Sequence, residues 1–340
     1  MPAESLQIGL IGAGRIGQVH AASLASRIPA ARMLMVADVV EDAAQACARQ
    51  YGIPQAVRDY HALLANPQIE AVVICSATDT HAQIIAEAAQ AGKHIFCEKP
   101  IALSLGAIDA ALQAVEQAGV KLQVGFNRRF DANFRRVRDA VVRGEIGQPE
   151  LLHIISRDPA PPPLAYIKAS GGMFLDMTIH DFDMARFLIG SEVEEVYVAA
   201  GVIVDPAIGE AGDVDTAVIL LKFANGTIGT IENSRRAVYG YDQRVEILGS
   251  AGAIRIDNNH PNTAVISTAD SVHHDLPLNF FMTRYTESYV AELAAFVEAV
   301  LHDTAVLVSG QDARVPVVMG LAARMSYVEH RPVRVHDIPS

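Results

Sequence analysis

An apolar segment near the start of the chain runs directly into a glycine-rich turn, and this combination constrains the fold more than any other feature. Residues Gln7–Ile11 form a predicted strand, and the next six residues, GAGRIG, have G-x-G-x-x-G spacing. This pattern is typical of a βαβ unit that binds a dinucleotide. In such a unit Gly12 permits the tight turn, Gly14 lets backbone approach a pyrophosphate, and Gly17 lets helix and strand pack closely.

An acidic residue after the second predicted strand supports the same interpretation over a glycine turn in some other α/β protein. The strand Met33–Asp38 ends in a carboxylate 21 residues after Gly17, and dinucleotide-binding domains place an acid about 20 residues further on. A carboxylate there accepts hydrogen bonds from ribose hydroxyls and repels a 2′-phosphate. The sequence therefore predicts NAD rather than NADP, with the phosphates bound at the helix start by Arg15 and Ile16.

Composition limits the remaining possibilities. A chain of 340 residues is long enough for two domains. The net charge of −12 argues against nucleic acid or an anionic membrane as partner. The sequence has no apolar run of transmembrane length, and residues 1–6 lack the features of a signal peptide, so we expect a cytoplasmic protein. Widely spaced Cys47, Cys75 and Cys97 predict buried thiols rather than disulfides or a zinc site.

The first part of the chain predicts a doubly wound α/β Rossmann domain with a parallel sheet, over residues 1–124. Continuous apolar runs such as Ala71–Cys75 indicate strands that are covered on both faces. The other predicted strands are Gln7–Ile11, Met33–Asp38, His94–Glu98 and Lys121–Phe126, with Ala56–Val57 as a short edge. The predicted helices between them are Ile16–Arg27, Glu41–Tyr51, Tyr60–Ala65, Ala82–Ala91 and Leu105–Ala118.

Residues 125–340 predict a C-terminal α+β domain that binds substrate and mediates oligomerisation, with a largely antiparallel, open-faced sheet. Asn225-Gly226 is a strong hairpin signal, and a second hairpin is predicted around residues 249–252. The predicted strands are Leu151–Ser156, Val193–Val204, Asp215–Phe223, Thr227–Asn233, Val245–Leu248 and Ala253–Ile256. The predicted helices are Asp131–Val142, Met173–Leu188, Tyr285–His302 and Asp312–Tyr327.

Two polar segments follow parallel strands, at the sheet edge where ligands of such folds bind. They are residues 76–81, SATDTH, and residues 97–100, CEKP. A lysine placed there would lie beside the nicotinamide, although a surface lysine in a loop is the alternative. Pro100 also allows a cis peptide bond after Lys99. The predicted cofactor contacts in these segments are Ser76, Thr78, His81, Glu98 and Lys99.

A third segment joins two glycines to a helix that carries an acid and a histidine. Asp176 and His180 follow Gly171-Gly172 and are four residues apart, so they share one helix face. A lone histidine is more often a packed core residue with an incidental acid nearby. The spacing after Gly-Gly favours a functional base instead.

These motifs together resemble the glucose–fructose oxidoreductase, inositol dehydrogenase and rhizopine-catabolism family. The resemblance rests on GAGRIG at 12–17, CEKP at 97–100, VGFNRRFD at 124–131 and the Gly171-Gly172…Asp176…His180-Asp181 series, in family order and spacing. It covers nearly the whole chain. The resemblance implies a Rossmann domain plus an open-faced α+β domain, NAD(H) dependence and a tetramer. It also implies that Lys99, Asp176 and His180 are catalytic.

The resemblance is strongest to the inositol dehydrogenases of that family. The expected reaction is therefore NAD-dependent oxidation of a secondary hydroxyl of a cyclic polyol, with myo-inositol oxidised at C2 to a ketone. A histidine, with an ordinary pKa of about 6.5, suits removal of the hydroxyl proton near neutral pH. Asp176 can orient the imidazole, and Lys99 can stabilise the developing alkoxide. The formal base is Lys99 or His180, of which we favour His180, and no metal is expected.

Substrate contacts beyond these three residues are predicted at Asn127, Arg128, Arg157, Tyr239 and Tyr241. Each of these positions has a structural role as an alternative of similar weight. At Ser156 some relatives carry a histidine, which bears on the choice of myo-inositol. The alternatives for function are a scyllo-inositol or aldose dehydrogenase with the same chemistry, and a non-catalytic NAD(H)-binding sensor.

Overall fold

The computed structural model describes residues 5–339, which form two compact units. Residues 5–130 and 287–315 make up the first unit, and residues 131–286 and 316–339 the second. Residues 125–130 and 287–315, which the sequence pattern assigned to the second domain, therefore lie in the first unit. Residues 1–4, within the segment predicted to lack a signal peptide, lie outside the described residues.

The first unit contains a six-stranded parallel sheet, as predicted. Its order is β3-β2-β1-β4-β5-β6, the order typical of dinucleotide-binding domains. The strands are β1 (Leu6–Ile11), β2 (Ala31–Ala37), β3 (Gln55–Val57), β4 (Ala71–Ile74), β5 (His94–Glu98) and β6 (Leu122–Gly125). Every residue of β4 is 0 % exposed, which explains its continuous apolar run.

Five helices connect these strands: α1 (Arg15–Ser26), α2 (Glu41–Tyr51), α3 (His61–Leu64), α4 (Thr78–Gln90) and α5 (Leu105–Ala118). The α4 helix begins four residues before its predicted start. The segment that carries Ser76, Thr78 and His81 is therefore the beginning of a helix rather than a long loop. A 3₁₀ turn, Asn127–Phe130, follows β6 and ends this part of the first unit.

The second unit contains a mixed seven-stranded sheet in the order β12-β11-β7-β10-β9-β8-β15. Its strands are β7 (Pro149–Arg157), β8 (Val193–Gly201), β9 (Thr216–Phe223), β10 (Ile228–Ser234), β11 (Asp242–Gly249), β12 (Gly252–Ile256) and, near the end of the chain, β15 (Val333–Arg334). Within residues 5–339, β7 and β10 are the only strands of this sheet that pair in parallel, so the prediction of a largely antiparallel sheet is confirmed. Both predicted hairpins, β9–β10 and β11–β12, are present.

Helices of the second unit are α6 (Ala132–Val142), α7 (Leu164–Ser170), α8 (Thr178–Ile189), α9 (Pro206–Glu210) and α10 (Phe281–Arg284). The predicted helix Met173–Leu188 is in fact two pieces, a π-helical turn at Met173–Met177, here called the π turn, followed by α8. A small hairpin of β13 (Val265–Ser267) and β14 (Val272–His274) was not predicted, because its strands are three residues long and exposed.

The C-terminal segment supplies α11 (Thr286–Leu301) and α12 (Gly310–Glu329). Leu293, Phe296 and Val297 of α11 are fully buried in the core of the first unit, with Phe96 and Val73 of its sheet. This packing explains why the segment belongs to the first unit. All three cysteines are buried and free, as predicted. None of the helices within residues 5–339 is long and apolar enough to cross a membrane.

Candidate active site

The glycine turn has the geometry that its spacing predicts. Gly12 has a φ of +97°, and a Cβ there would lie 2.6 Å from the carbonyl carbon of Cys75. A Cβ at Gly17 would collide with the carbonyl oxygen of Gly12. At Gly14, by contrast, nothing in residues 5–339 beyond its own chain neighbours and helix backbone comes within 4 Å of a Cβ position. The turn is closed where helix and strands pack and open where backbone would approach a pyrophosphate.

The start of α1 and the end of β2 meet at this turn. No side chain in the described part of the protein caps α1, so Arg15 and Ile16 present the positive end of the helix dipole. Asp38 Oδ2 accepts a hydrogen bond from the Ala13 backbone N–H at 2.7 Å, and Oδ1 accepts one from Val40 at 2.8 Å. The carboxylate is thereby fixed beside the glycine turn, where the sequence predicts a ribose. These residues fit NAD.

The segment after β4 is connected to the segment after β5 by a buried imidazole. His81 Nδ1 lies 2.9 Å from the carbonyl oxygen of Pro100, and Nε2 lies 3.1 Å from that of Ser76. Ser76 Oγ is 2.7 Å from Thr80 Oγ1, and Thr78 is the first residue of α4. The histidine thus ties the two loops together, and its contact with a cofactor stays a prediction.

Lys99 follows β5 directly and is half-buried, and its peptide bond to Pro100 is cis. The neighbouring Glu98 carboxylate is only 9 % exposed, and its Oε1 lies 2.6 Å from Nε2 of buried His20. Glu98 is therefore bonded within the protein, and its predicted role in cofactor binding stays a prediction.

Asn127 and Arg128 begin the 3₁₀ turn after β6, and both are 4 % exposed. They belong to the first unit, which also contains the glycine turn and Lys99. Their predicted contact with substrate is not tested by this placement.

The helix with Asp176 and His180 begins at a glycine with a positive φ. Gly172 has a φ of +77°, and the carboxylate of Asp213 accepts a hydrogen bond from the next backbone N–H, that of Met173, at 3.0 and 3.1 Å to its two oxygens. Asp176 lies in the π turn, whereas His180 lies in α8. A π turn inside a helix is rare and is often found at functional sites.

The Asp176 carboxylate is held by two groups that the sequence did not single out. The Tyr166 hydroxyl donates to Oδ1 at 2.9 Å, and Arg235 Nη1 lies 3.6 Å from Oδ2. The same guanidinium nitrogen lies 3.6 Å from Asp158 Oδ2, and Arg235 is 2 % exposed. A buried cation between two carboxylates therefore fixes the position of Asp176.

The α8 helix, which carries His180, is hydrogen-bonded to the sheet through a buried polar network. Thr178 Oγ1 donates to Asn233 Oδ1 at 2.6 Å, and Asn233 Nδ2 donates to Asp181 Oδ2 at 2.8 Å. The same amide lies 3.3 Å from the carbonyl oxygen of Ser156. Thr178, Asp181 and Asn233 are all 0 % exposed, so this network sets the rotation of the helix on the sheet.

Three of the predicted substrate contacts lie elsewhere in the second unit. Arg157 Nη1 donates to the Tyr239 hydroxyl at 2.7 Å, and that hydroxyl donates to buried Asp242 at 2.6 Å. Burial, followed by the hydrogen bond to Asp242, raises the pKa of Tyr239 above its ordinary value. Tyr241 is 7 % exposed and packs edge-on against Tyr285. Arg157 and Tyr239 are therefore brought together, and Tyr241 contributes to packing.

Sequence reasoning missed Tyr166, Asp213 and Arg235. Arg235 stands beside another arginine after a strand, a pattern typical of an exposed loop, and only the fold shows that it is buried. Asp213 is 40 residues from Met173, whose backbone N–H it accepts, and Tyr166 is 10 residues from Asp176. No spacing rule connects residues so far apart, so the sequence carried no signal for them.

Residues 6–126 match the family described as "Oxidoreductase family, NAD-binding Rossmann fold", and residues 134–255 match "GFO/IDH/MocA C-terminal domain". The chain is 47 % identical over 333 residues to "Myo-inositol 2-dehydrogenase" of Thermotoga maritima, covering 98 % of this chain and 99 % of that protein.

Two solved structures are similar over nearly their whole length. One is a myo-inositol dehydrogenase from Corynebacterium glutamicum, with a TM-score of 0.93 at 38 % identity, covering 97 % of this chain and 98 % of that one. The other is scyllo-inositol dehydrogenase from Lactobacillus casei with bound NAD(H) and scyllo-inositol, with a TM-score of 0.92 at 30 % identity, covering 98 % and 100 %. With both family regions matched in order and the relatives aligned end to end, the chain belongs to the GFO/IDH/MocA family of oxidoreductases, whose Rossmann domain binds NAD.

Proposed function

We propose that the protein oxidises the C2 hydroxyl of myo-inositol to a ketone with NAD⁺. The observation that carries this proposal is the 47 % identity, over nearly the full chain, to a protein named myo-inositol 2-dehydrogenase. The site residues expected for such a reaction, a lysine after β5 and an acid–histidine pair on a glycine-led helix, are all present in this chain.

In the proposed reaction the secondary alcohol loses a proton and a hydride. His180 accepts the hydroxyl proton, and Asp176 orients the imidazole and stabilises its charged form. Tyr166 and Arg235 keep the Asp176 carboxylate in place for this purpose. Lys99 donates a hydrogen bond to the reacting oxygen and stabilises the charge that develops there. That Lys99 and His180 act on the same substrate carbon is part of the proposal.

NAD⁺ supplies the acceptor for the hydride. The pyrophosphate would lie against Gly14 and the start of α1, and Asp38 would accept hydrogen bonds from the adenosine ribose. Asp38 already accepts two backbone hydrogen bonds, so its carboxylate does not need to reorganise to receive the ribose hydroxyls.

Scyllo-inositol is the second candidate substrate. The similar Lactobacillus casei structure holds that isomer, and the family resemblance implies that some relatives have a histidine where this chain has Ser156. Ser156 is 0 % exposed and bonds to Gln243, at 3.0 Å from Nε2. With a small buried hydroxyl at this position, the inositol ring would meet a different set of hydrogen-bond donors than it would with an imidazole.

The test is an NADH-formation assay on the purified protein with myo-inositol, scyllo-inositol and a set of aldoses, with the product identified. We expect the highest kcat/KM for myo-inositol, with 2-keto-myo-inositol as product. A higher kcat/KM for scyllo-inositol or an aldose would change the proposed substrate but not the proposed type of reaction. Binding of NAD(H) without turnover of any of these compounds would instead favour a sensor.

We further propose a cytoplasmic homotetramer, in line with the family resemblance. One face of the seven-stranded sheet carries a row of exposed apolar side chains, Leu151, Ile228 and Leu248, at directly paired positions. Leu220 and Tyr197 continue the face on the neighbouring strands. A second copy of the chain would cover this surface. Light scattering on the purified protein gives the subunit number, and Leu220→Asp is expected to lower it.

A further inference from the structure

Three titratable side chains meet in the interior of the first unit, below the end of β5. His20 comes from α1, Glu98 from β5 and Glu292 from α11, and their exposed fractions are 0, 9 and 0 %. One nitrogen or oxygen atom from each lies within 4.8 Å of the other two. We call this group the acid–histidine cluster. Nothing in the proposed reaction uses it, although Glu98 directly precedes Lys99.

Within the acid–histidine cluster only His20 and Glu98 are bonded to each other, with 2.6 Å between Nε2 and Oε1. Neither carboxylate oxygen of Glu292 has a hydrogen-bond partner among residues 5–339. Gln123 donates to the backbone carbonyl of Glu292 at 2.7 Å rather than to its side chain. A fully buried carboxylate without a donor is far more costly to keep ionised than to protonate.

Among the described residues, His20 and Glu98 are the histidine and the acidic side chain that come within 4.8 Å of Glu292 in this cluster. Besides His20, the titratable groups that act on this region are Glu98 on β5 and the thiols of Cys75 and Cys97. Burial, followed by the negative charge of Glu98, raises the pKa of Glu292 well above its usual range. The rings of Phe96 and Tyr289 pack edge-on against His20, with ring centroids 5.3 and 5.8 Å from that of the imidazole.

A divalent metal is the other species that such a group of ligands could hold. Two ligands of a tetrahedral zinc ion, each about 2.0–2.1 Å from the metal, stand roughly 3.3 Å apart. The His20–Glu98 separation of 2.6 Å is shorter than this and has the length of a charge-assisted hydrogen bond. The geometry therefore favours a proton over a metal ion.

We propose that the acid–histidine cluster holds a proton on Glu292 and that Glu292 is thereby a positioning residue for the end of β5 that carries Lys99. While Glu292 is neutral, Glu98 can accept the hydrogen bond from His20 without a second negative charge beside it. Loss of the proton from Glu292 would place two carboxylates within 4.8 Å of each other and displace Glu98, and with it the backbone of Lys99. The kinetic part of this proposal rests on the proposed function, whereas the protonation of Glu292 does not.

The protonation is tested without substrate by infrared difference spectroscopy of the wild-type protein against Glu292→Gln, above the ordinary carboxyl titration range. We expect a carbonyl band of a protonated carboxyl group in the wild type that is absent from Glu292→Gln. Glu298→Gln is the matched control, because Glu298 lies on the same helix, is exposed and pairs with His302. It should remove only an ionised-carboxylate band. If Glu292→Gln does not fold, Glu292→Met replaces it.

Thermal unfolding against pH gives a second reading. Because the pKa of Glu292 is raised in the folded state, its contribution to stability is full below the unfolded pKa of about 4.3 and is lost as pH rises towards the folded pKa. Glu292→Gln lacks this titration. Its Tm, relative to wild type, is therefore expected to increase with pH above about 4.3, and that of Glu298→Gln is not.

The positioning role is tested by the pH profile of kcat. We expect the kcat of the wild type to fall at alkaline pH. This fall should be smaller in Glu292→Gln and unchanged in Glu298→Gln. An ionised Glu292 in the infrared spectrum, or a bound divalent metal at one per chain whose removal lowers the Tm, would overturn the proton site. Identical pH profiles would overturn the positioning role alone. If no inositol or sugar is oxidised, the proposed function fails, and the infrared and unfolding data still decide the protonation.

Discussion

At the scale of single residues, His180 carries the proposed proton transfer. Replacing it with alanine removes the base but leaves the glycine turn and Asp38, which lie in the other unit, unchanged. We expect kcat of His180→Ala to fall by about 10²-fold or more, with nearly unchanged affinity for NAD, as measured by steady-state kinetics and cofactor titration. His153→Ala, at an exposed position of β7, is the control.

Full activity in His180→Ala would contradict the assignment. A reduced activity with an unchanged pH profile would indicate that Lys99 is the formal base. The pH profile is needed to tell the two candidate bases, Lys99 and His180, apart, because both side chains can donate a hydrogen bond to the substrate oxygen.

Asp38 is the residue that we propose discriminates between the two nicotinamide cofactors. Hydrogen bonds to a charged group contribute about 1.5–3 kcal/mol, so Asp38→Ala should weaken NAD binding by roughly 10- to 100-fold. The same change removes the repulsion of a 2′-phosphate and should relax discrimination against NADP. Kinetics with both cofactors measure this, and Asp42→Ala, an exposed acid in the first turn of α2, is the control. Unchanged kinetics with both cofactors would remove the ribose role of Asp38.

At the scale of elements, the π turn depends on the glycine that precedes it. A Cβ at Gly172 would lie 2.7 Å from Oδ1 of Asp213, the group that accepts the first N–H of the turn. Gly172 has φ +77° and ψ −169°, a conformation adopted essentially by glycine alone, so Gly172→Ala combines a backbone strain of roughly 1–3 kcal/mol with displacement of Asp213. We expect a lower unfolding midpoint and a lower kcat.

Gly52→Ala separates these two effects. Gly52 also has a positive φ, +67°, but its ψ of 30° makes it left-handed helical, where an alanine costs roughly 1–2 kcal/mol, and no described group outside its own chain neighbours comes within 4 Å of its Cβ position. The Gly52→Ala variant should therefore show a cost in backbone strain alone and keep the wild-type kcat. If the two variants are equally stable and equally active, the contact with Asp213 is not important for the π turn.

At the scale of the whole molecule, the first unit is completed by a helix from the far end of the chain. Phe296 of α11 is 0 % exposed and lies in the same core as Leu6, Ile8 and Phe96. Truncation of a buried phenylalanine costs about 3–5 kcal/mol, so Phe296→Ala should lower the unfolding midpoint strongly. Phe280→Ala, at a side chain that is 40 % exposed, should lower it much less. Equal midpoints would mean that α11 does not complete this core.

The sequence predicted most elements because their signals are local. The strands β1, β2, β4 and β5 and the helices α2 and α5 lie within a few residues of their predicted positions, since apolar runs and helix periodicity depend on near neighbours. The π turn was missed because its apolar spacing looks like that of an ordinary helix. The hairpin of β13 and β14 was missed because exposed three-residue strands have no apolar alternation to detect.

By itself, the sequence determined the Rossmann unit, the binding of NAD and the family, because each depends on short motifs whose chemistry is local. Only the tertiary structure decided what surrounds those motifs. In the folded chain, buried Arg235 lies between Asp158 and Asp176. The α11 helix packs into the core of the first unit, and Glu292 on that helix lies close to His20 and Glu98. The reason is physical: burial and pairing of charges depend on which segments meet in space. Partners as far apart in the chain as Asp176 and Arg235, 59 residues, or His20 and Glu292, 272 residues, leave no spacing pattern.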